Sequence, residues 1–295
     1  MLSDIETVAK DRNLFREKNF HARSEAIDYI ETHIIDRIDA LLEIAGANED
    51  FIALKEYAHS VKNRLEDIDD QMFQRIRLEI AAGAYRGKDF IHLLKEYFDG
   101  HLPVYTLSND TGYDQLDLFL NGIFTCKDLP AETRAREPEM VYYQKTPARI
   151  ILEFINRTEF KPQDIFFDLG SGLGQVVMLV NLLTGVMAKG VEFEPAFCDY
   201  AKNCAADLNL NDLAFINTDA RYADYSSGTV FFMYTPFEGN MLRDVLEKLR
   251  VDTIGKKIKL FTFGPCTTEV AQQDWLMIHS EIPFGPGALG GFISA

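Results

Sequence analysis

Long apolar runs are missing from this chain. No stretch of about 18 apolar residues occurs in its 295 positions, which excludes a conventional membrane-spanning helix. The first residues, MLSDIETVAKDRNLFREKNF, are charged throughout and hold no apolar signal core, so the expected compartment is the cytoplasm. Cysteine is scarce as well. Cys126, Cys198, Cys204 and Cys266 form no CxxC pair and keep no regular spacing, which argues against a disulfide framework or a zinc site. Cys198 and Cys204 fall on one predicted helix, where small apolar packing is the expected role. The six histidines are scattered and no HExxH occurs, so no metal is expected. Positive charge is the third shortage: 30 Lys+Arg face 46 Asp+Glu, for a net charge of -16. The deficit is spread along the chain, with 10 bases against 16 acids in residues 161–295 and 20 against 30 before them. An acidic surface repels phosphate backbones, so nucleic acid is not an expected partner.

What is present is enough to build cores: 47% of the residues are hydrophobic and 26% are charged. Residues 1–100 read as an N-terminal helical bundle. From Ser24, a possible cap, the stripe Ile27, Ile30, Ile34, Ile38, Leu41, Leu42 predicts a helix that stops at Gly46. A second helix is expected from Asn48, a third over DQMFQRIRLEIAAG and a fourth over GKDFIHLLKEYF. Residues 101–140 break into turn-forming stretches around one short helical piece, DQLDLFLNGIF, and form a connecting region and possible lid. Residues 141–295 alternate differently. A helix over TPARIILEFINR, with Thr146 as cap and Pro147 first, precedes strand and helix patterns in turn. The expected fold is α/β: a seven-stranded, mostly parallel, doubly wound sheet that ends in a C-terminal antiparallel hairpin.

The chemistry gathers at DIFFDLGSGLGQVVMLV, residues 164–180, where a strand pattern turns through three glycines into a helix pattern. A dinucleotide turn needs G-x-G-x-x-G. From Gly170 the last position is Gln175, and from Gly172 it is Val177, so neither frame fits. The pattern present is D-x-G-x-G-x-G, from Asp168 through Gly170, Ser171 and Gly172 to Gly174. An acid at the strand end repels a pyrophosphate and suits a ligand carrying an amine. S-adenosylmethionine has that character: an ammonium, a carboxylate for the helix N-terminus, an adenosine and no phosphate. Glu192, after the next strand, can accept both ribose hydroxyls, while Glu194 before Pro195 is expected to cap a helix. Asp219, with the small Ala220 beside it, can meet the adenine edge. After the fourth strand, Tyr234, Thr235, Pro236 and Phe237 are expected to wall a substrate site.

These residues resemble class I S-adenosylmethionine-dependent methyltransferases over about residues 140–295. DLGSGLGQVV is similar to the glycine motif of the non-SET, disruptor-of-telomeric-silencing type of histone-lysine methyltransferase. That family carries Tyr-Gly-Glu-Thr in a loop that closes over the cofactor, and Tyr143-Gln144-Lys145-Thr146 stands in its place here. The resemblance implies cofactor contacts by Tyr143 and Thr146, and a substrate-facing side for Tyr143. Lys145 departs from the family's Glu, Tyr234-Thr235-Pro236 departs from its Asn-Asn-Phe, and its basic DNA-gripping segment has no counterpart. The expectation is methyl transfer from S-adenosylmethionine to an unidentified acceptor, a protein side chain or a small molecule. Two alternatives stay open: an idle nucleoside-binding domain that serves protein interaction, and a nicotinamide-dependent oxidoreductase.

Overall fold

The computed structural model describes residues 1–46, 48–98, 113–124, 129–279 and 287–295. The chain divides into two compact units, Met1–Leu78 with His92–Leu102, and Glu79–Ile91 with Pro103–Ala295. None of the described helices is long and apolar enough to cross a membrane. The turn expected at PFGPGALG and the stretch LSNDTG fall largely outside the described residues, as does Cys126.

The first unit is helical. Helix α1 (Leu2–Lys10) is followed by α2 (Phe20–Tyr29), a π-helical turn (Ile30–Ile35) and α3 (Asp36–Ala45). The expected start at Ser24 is therefore too late, because the helix already runs from Phe20. The π turn lets Ile30, Ile34, Ile35 and Ile38 all bury in one cluster with Val61 and Leu65. The second and third expected helices are one, α4 (Glu49–Ala81), opened by Asn48, whose side chain accepts from the Asp50 and Phe51 N–H groups. Arg23 is fully buried. It donates through Nε and Nη2 to Asp69 at 2.8 and 2.6 Å and to the carbonyls of Leu14, Arg16 and Glu17. A buried guanidinium is tolerable only with its donors satisfied in this way.

The second unit holds helices α5 (Lys88–Tyr97, in part), α6 (Gln115–Phe124) and α7 (Ala148–Thr158), and then the sheet. Strands β1 (Ile165–Leu169), β2 (Met187–Glu192), β3 (Leu213–Asn217), β4 (Val230–Tyr234) and β5 (Lys259–Phe263) are parallel. They alternate with α8 (Gln175–Thr184), α9 (Pro195–Asp207) and α10 (Gly239–Asp252). After the short α11 (Cys266–Val270), β6 (Leu276–Ile278) and β7 (Gly290–Ser294) pair antiparallel, and β7 inserts beside β5. The order β3-β2-β1-β4-β5-β7-β6 is the expected mostly parallel sheet with its antiparallel hairpin.

Two-residue periodicity sorts the core into layers. Phe166, Phe232 and Phe261 project to one side, where Phe154 of α7 meets all three rings at 5.0–5.5 Å. Phe167, Phe231, Leu260 and Phe292 face the other side, against Val245, Leu246 and Leu249 of α10. Because β1 and β4 are parallel neighbours, with Asp168 opposite Phe232, their carboxyl ends open at the same edge. Cys198 and Cys266 are buried and free, whereas Cys204, expected only to pack, is disulfide-bonded.

The start of α7 differs from expectation. Pro147 takes the cap position and no side chain of its own turn caps it. Asp117, buried in α6, accepts from the Ala148 N–H at 2.7 Å and from the Asp114 N–H at 2.9 Å. The cap thus comes from another helix, and Thr146 does not supply it. Asp117→Ala is expected to lower stability by about 1–3 kcal/mol, the range for a lost buried cap, while Thr146→Val changes it by under about 1 kcal/mol. Urea unfolding of both variants checks the assignment, and the reverse order refutes it.

Candidate functional site

The site grows from the turn after β1. Gly170 and Gly172 have φ of 77° and 51°, the left-handed region where a Cβ is penalised. Space excludes a side chain too: a Cβ on Gly170 would lie 2.3 Å from Pro236 Cβ, and one on Gly172 would lie 2.1 Å from Tyr143 Cε2. The turn spends its own N–H groups. Gly170 and Ser171 donate to the Val191 carbonyl, Gly174 donates to the Ser171 carbonyl, and Gly172 donates to Glu192 Oε2 at 2.7 Å. None of these four donors is left for a phosphate.

Glu192 ends β2 and takes the Glu194 N–H on its other oxygen at 2.7 Å. Two backbone donors from opposite sides set the carboxylate's orientation and leave further lone pairs for a ligand. Asn217, at the end of β3, holds the Glu192 and Phe193 carbonyls through Nδ2, and the Thr218 N–H donates to the Glu192 carbonyl. Asp168 is almost wholly buried. Burial, with Glu192 as a neighbouring negative charge, pushes its carboxyl up to about 8. Burial also raises Glu192, against the backbone N–H groups that lower it.

A strap, residues 129–146, crosses this edge of the sheet and is fixed at three points. Glu194 accepts from the Thr133 N–H and Oγ1 and from the Arg134 N–H at 2.5–2.9 Å, while also capping α9 through the Ala196 N–H at 3.0 Å. Although burial opposes it, these bonds hold the Glu194 carboxyl down at about 2. Glu139 accepts from the Asn240 and Met241 N–H groups at 3.1 and 2.7 Å and so caps α10. Arg221 joins Glu137 to Asp219 at 2.8 and 2.6 Å. Between these anchors Met140 pairs with Phe237 in a one-residue antiparallel bridge, and the Val141 N–H donates to the Pro236 carbonyl.

The strap closes a cavity of about 350 Å³. Glu192, Ala220, Gly170 and Tyr143 line it, with Tyr234, Thr235, Pro236 and Phe237 on the β4 side. A smaller cleft beside it is lined by Tyr143, Lys145, Thr146, Asp168, Gly170, Ser171, Gln175 and Tyr234. Every expected site residue except Gly172, Gly174 and Asp219 borders one of these two spaces. Gly174 lies behind the turn against Phe215. Asp219 is engaged by Arg221, and its neighbours Thr218 and Ala220 line the cavity instead. The Ala220 carbonyl is held by the Tyr225 hydroxyl at 2.8 Å.

Thr235 has φ of 36°, an unusual value for a β-branched residue. Its hydroxyl donates to the Phe263 carbonyl at 3.1 Å and accepts from the Cys266 N–H at 3.3 Å, tying the end of β4 to the turn after β5. The Tyr234 hydroxyl donates to Gln144 Oε1 at 3.2 Å. Sequence reasoning missed Thr218, Phe197 and the anchors Thr133, Glu137 and Glu139. The only local hint was Glu194, whose capping role is one part of its work.

Residues 137–229, from the strap through the glycine turn to β3, match the family described as histone methylation protein DOT1. The seven-stranded, mostly parallel sheet with its antiparallel hairpin is the architecture expected from the resemblance to class I methyltransferases. Solved methyltransferases are similar in fold at low identity. An RNA methyltransferase from Salinibacter ruber in complex with S-adenosyl-L-homocysteine is 19% identical, covering 51% of this chain and 92% of that one, with a TM-score of 0.39. The ribosomal protein L11 methylase of Lactobacillus delbrueckii subsp. bulgaricus is 15% identical over 50% and 77%, with a TM-score of 0.39. A precorrin-6y C5,15-methyltransferase from Geobacter metallireducens GS-15 is 12% identical over 53% and 93%, at 0.40. Among curated proteins none matches the chain.

Two outcomes follow from this geometry. Gly172→Ala must both strain the turn and displace Tyr143, whereas Gly185→Ala, at φ of 72° with open space around it, meets strain alone. Gly185→Ala is expected to cost about 1 kcal/mol and Gly172→Ala more; equal urea midpoints would contradict the close approach of Tyr143. The second outcome concerns pH. A carboxyl that titrates at about 8 folded and near 3.9 unfolded favours the fold when protonated, so stability falls as pH rises between about 4 and 8. Asp168→Asn is therefore expected to stabilise the chain by about 1–3 kcal/mol at pH 8 and by almost nothing at pH 4. A pH-independent difference in thermal midpoint would show that Asp168 is not the titrating group.

Proposed function

We propose that the chain is an S-adenosylmethionine-dependent methyltransferase acting on a protein side chain or a small molecule. The observation that carries this reading is Glu192, oriented by the Gly172 and Glu194 N–H groups at the rim of the cavity. A carboxylate held in this way suits a ribose diol. The residues fit the rest of the nucleoside as well. Ala220, Phe197 and Phe193 provide a flat apolar wall for a base, and Gln175 keeps both amide atoms buried and unpartnered beside Asp168 in the smaller cleft. A nicotinamide dinucleotide fits poorly, since four turn N–H groups are already bonded and the acids Asp168 and Glu192 border the two spaces.

When bound, S-adenosylmethionine would supply a methyl group already activated by a sulfonium. The protein's share is then alignment and exclusion of water. Tyr143 covers the glycine turn, and its hydroxyl is driven well above the usual phenol range by burial, so it stays neutral. Tyr234 and the strained Thr235–Pro236 turn form the wall from which an acceptor would approach, with Thr235 bracing it against β5. Asp219 serves by fixing the strap through Arg221 and reaches the base only indirectly.

Titration calorimetry with S-adenosylmethionine, S-adenosylhomocysteine and NADH tests the reading, followed by labelled methyl transfer to extract fractions. Binding of NADH alone would refute it, and nucleoside binding without transfer would favour an idle binding domain. Glu192→Ala is expected to weaken nucleoside binding by about 1.5–3 kcal/mol, the scale of lost charged hydrogen bonds. Glu194→Ala should act differently, freeing Thr133 and Arg134 from their anchor. Hydrogen exchange should then quicken over residues 130–146 in that variant, and slow over 135–146 when nucleoside is added to the wild type. Exchange unaffected by ligand would remove the strap from the site.

A further inference from the structure

A further cleft, of about 410 Å³, lies at the opposite, amino edge of the sheet, where helices run back into strands. It is lined by the α4–α5 loop at Arg86 and Gly87, by the last turn of α8, and by the α9–β3 loop at Asn209, Asn211 and Asp212. Every lining residue belongs to the second unit. The loops are tied there, since the Gly87 N–H donates to the Leu182 carbonyl at 2.9 Å and Asn209 Nδ2 to the Ala81 carbonyl at 3.0 Å. Asn181 is only 7% exposed. Both hydrogens of its amide are spent, because Nδ2 donates to the Val186 and Asp212 carbonyls at 3.0 and 3.1 Å. No described donor reaches its Oδ1, although a buried amide oxygen normally has one.

The backbone shows the same surplus of acceptors. A helix end leaves its last four carbonyls without helical partners. In α8 the Asn181 carbonyl accepts from the Gly185 N–H and the Leu182 carbonyl from Gly87, but the Leu183 and Thr184 carbonyls accept from no described donor. Neither does the Asp212 carboxylate or Asn211 Oδ1. Asp212 carries a full negative charge, and the carboxyl end of α8 is the negative pole of its helix. Arg86, the one cation in the lining, lies 3.5 and 3.4 Å from the Ile80 and Asn209 carbonyls and makes no ion pair with Asp212.

An anionic ligand would meet Asp212 and the negative helix end. A bare metal ion would find a single carboxylate and leave most of the volume unfilled. Among the described residues no group of three His, Cys, Asp or Glu could hold a metal. A donor-rich cation on a carbon chain fits both the oxygens and the space. Ammonium N–H groups pair with carbonyl, amide and carboxylate oxygens alike, and methylenes can lie against Leu182 and Leu183. We infer that this cleft binds an aliphatic primary amine of the diamine or polyamine class. Its ammonium is held by Asp212, Asn181 Oδ1 and the free carbonyls that end α8. The site stands whether or not the cavity at the carboxyl edge takes a nucleoside.

Titration calorimetry of the full chain with putrescine at fixed ionic strength tests the site. One putrescine is expected to bind per chain, and Asp212→Asn is expected to weaken it by about 10–100-fold, the factor for a lost charged hydrogen bond. A chain of net charge -16 attracts any polycation, so Asp36→Asn, in the first unit, serves as control and should change the affinity by less than about twofold. Equal weakening in the two variants would show diffuse surface attraction and overturn the inference, as would the absence of heat at millimolar putrescine. Binding of 1,4-butanediol as tight as that of putrescine would show that charge plays no part, and also overturns it. Displacement of putrescine by an equal concentration of potassium ion would assign the cleft to a metal ion instead.

Discussion

Carboxylates that accept from backbone N–H groups are the bonds on which this site depends. Every helix start leaves donors without partners, and at the carboxyl edge of a parallel sheet several such starts lie together. Glu139 satisfies those of α10 from the strap, Glu194 serves α9 and the strap at once, and Asp117 serves α7 from α6. Each of these carboxylates satisfies backbone N–H groups at a helix start and also ties in a segment remote in sequence. The cavity owes part of its roof to this double use, together with the Glu137–Arg221 pair and the Met140–Phe237 bridge.

The same edge stores an electrostatic cost. Burial and the neighbouring Glu192 raise the affinity of Asp168 for a proton, and burial with Glu194 nearby raises that of Glu192. A fold selected for stability alone would place an amide or an apolar residue at Asp168. Under the proposed function the acids complement a cation, and the electrostatic cost in the free chain and the recognition of ligand would be one feature. Thr235 is a smaller instance, a β-branched residue held at positive φ by its bonds to Phe263 and Cys266.

Much of the second unit was legible from local pattern. Five apolar strand segments alternating with helical ones imply parallel order, and the helix-free end implies the antiparallel hairpin, because crossovers need intervening chain. The D-x-G-x-G-x-G turn and Glu192 were legible for a chemical reason: only glycine tolerates those dihedrals and that proximity, so the residue types report the geometry. Less was legible in the first unit. Helix starts followed buried contacts more than capping letters, and Arg23, which composition would assign to the surface, lies inside with Asp69.

By itself, then, the sequence determined the class of fold, the place of the glycine turn and the acid after β2, because these rest on short-range periodicity and on backbone conformations that few residues allow. Tertiary structure alone decided which polar groups meet. Thr146 and Asp219 carry plausible side chains at plausible positions, yet the α7 cap belongs to Asp117, and Asp219 is claimed by Arg221 and through it by Glu137. A carboxylate bonds to whichever donor the packed chain brings within about 3 Å, and that proximity joins residues 61 positions apart at Glu194 and Thr133 and 102 apart at Glu139 and Met241. No local pattern encodes such distances.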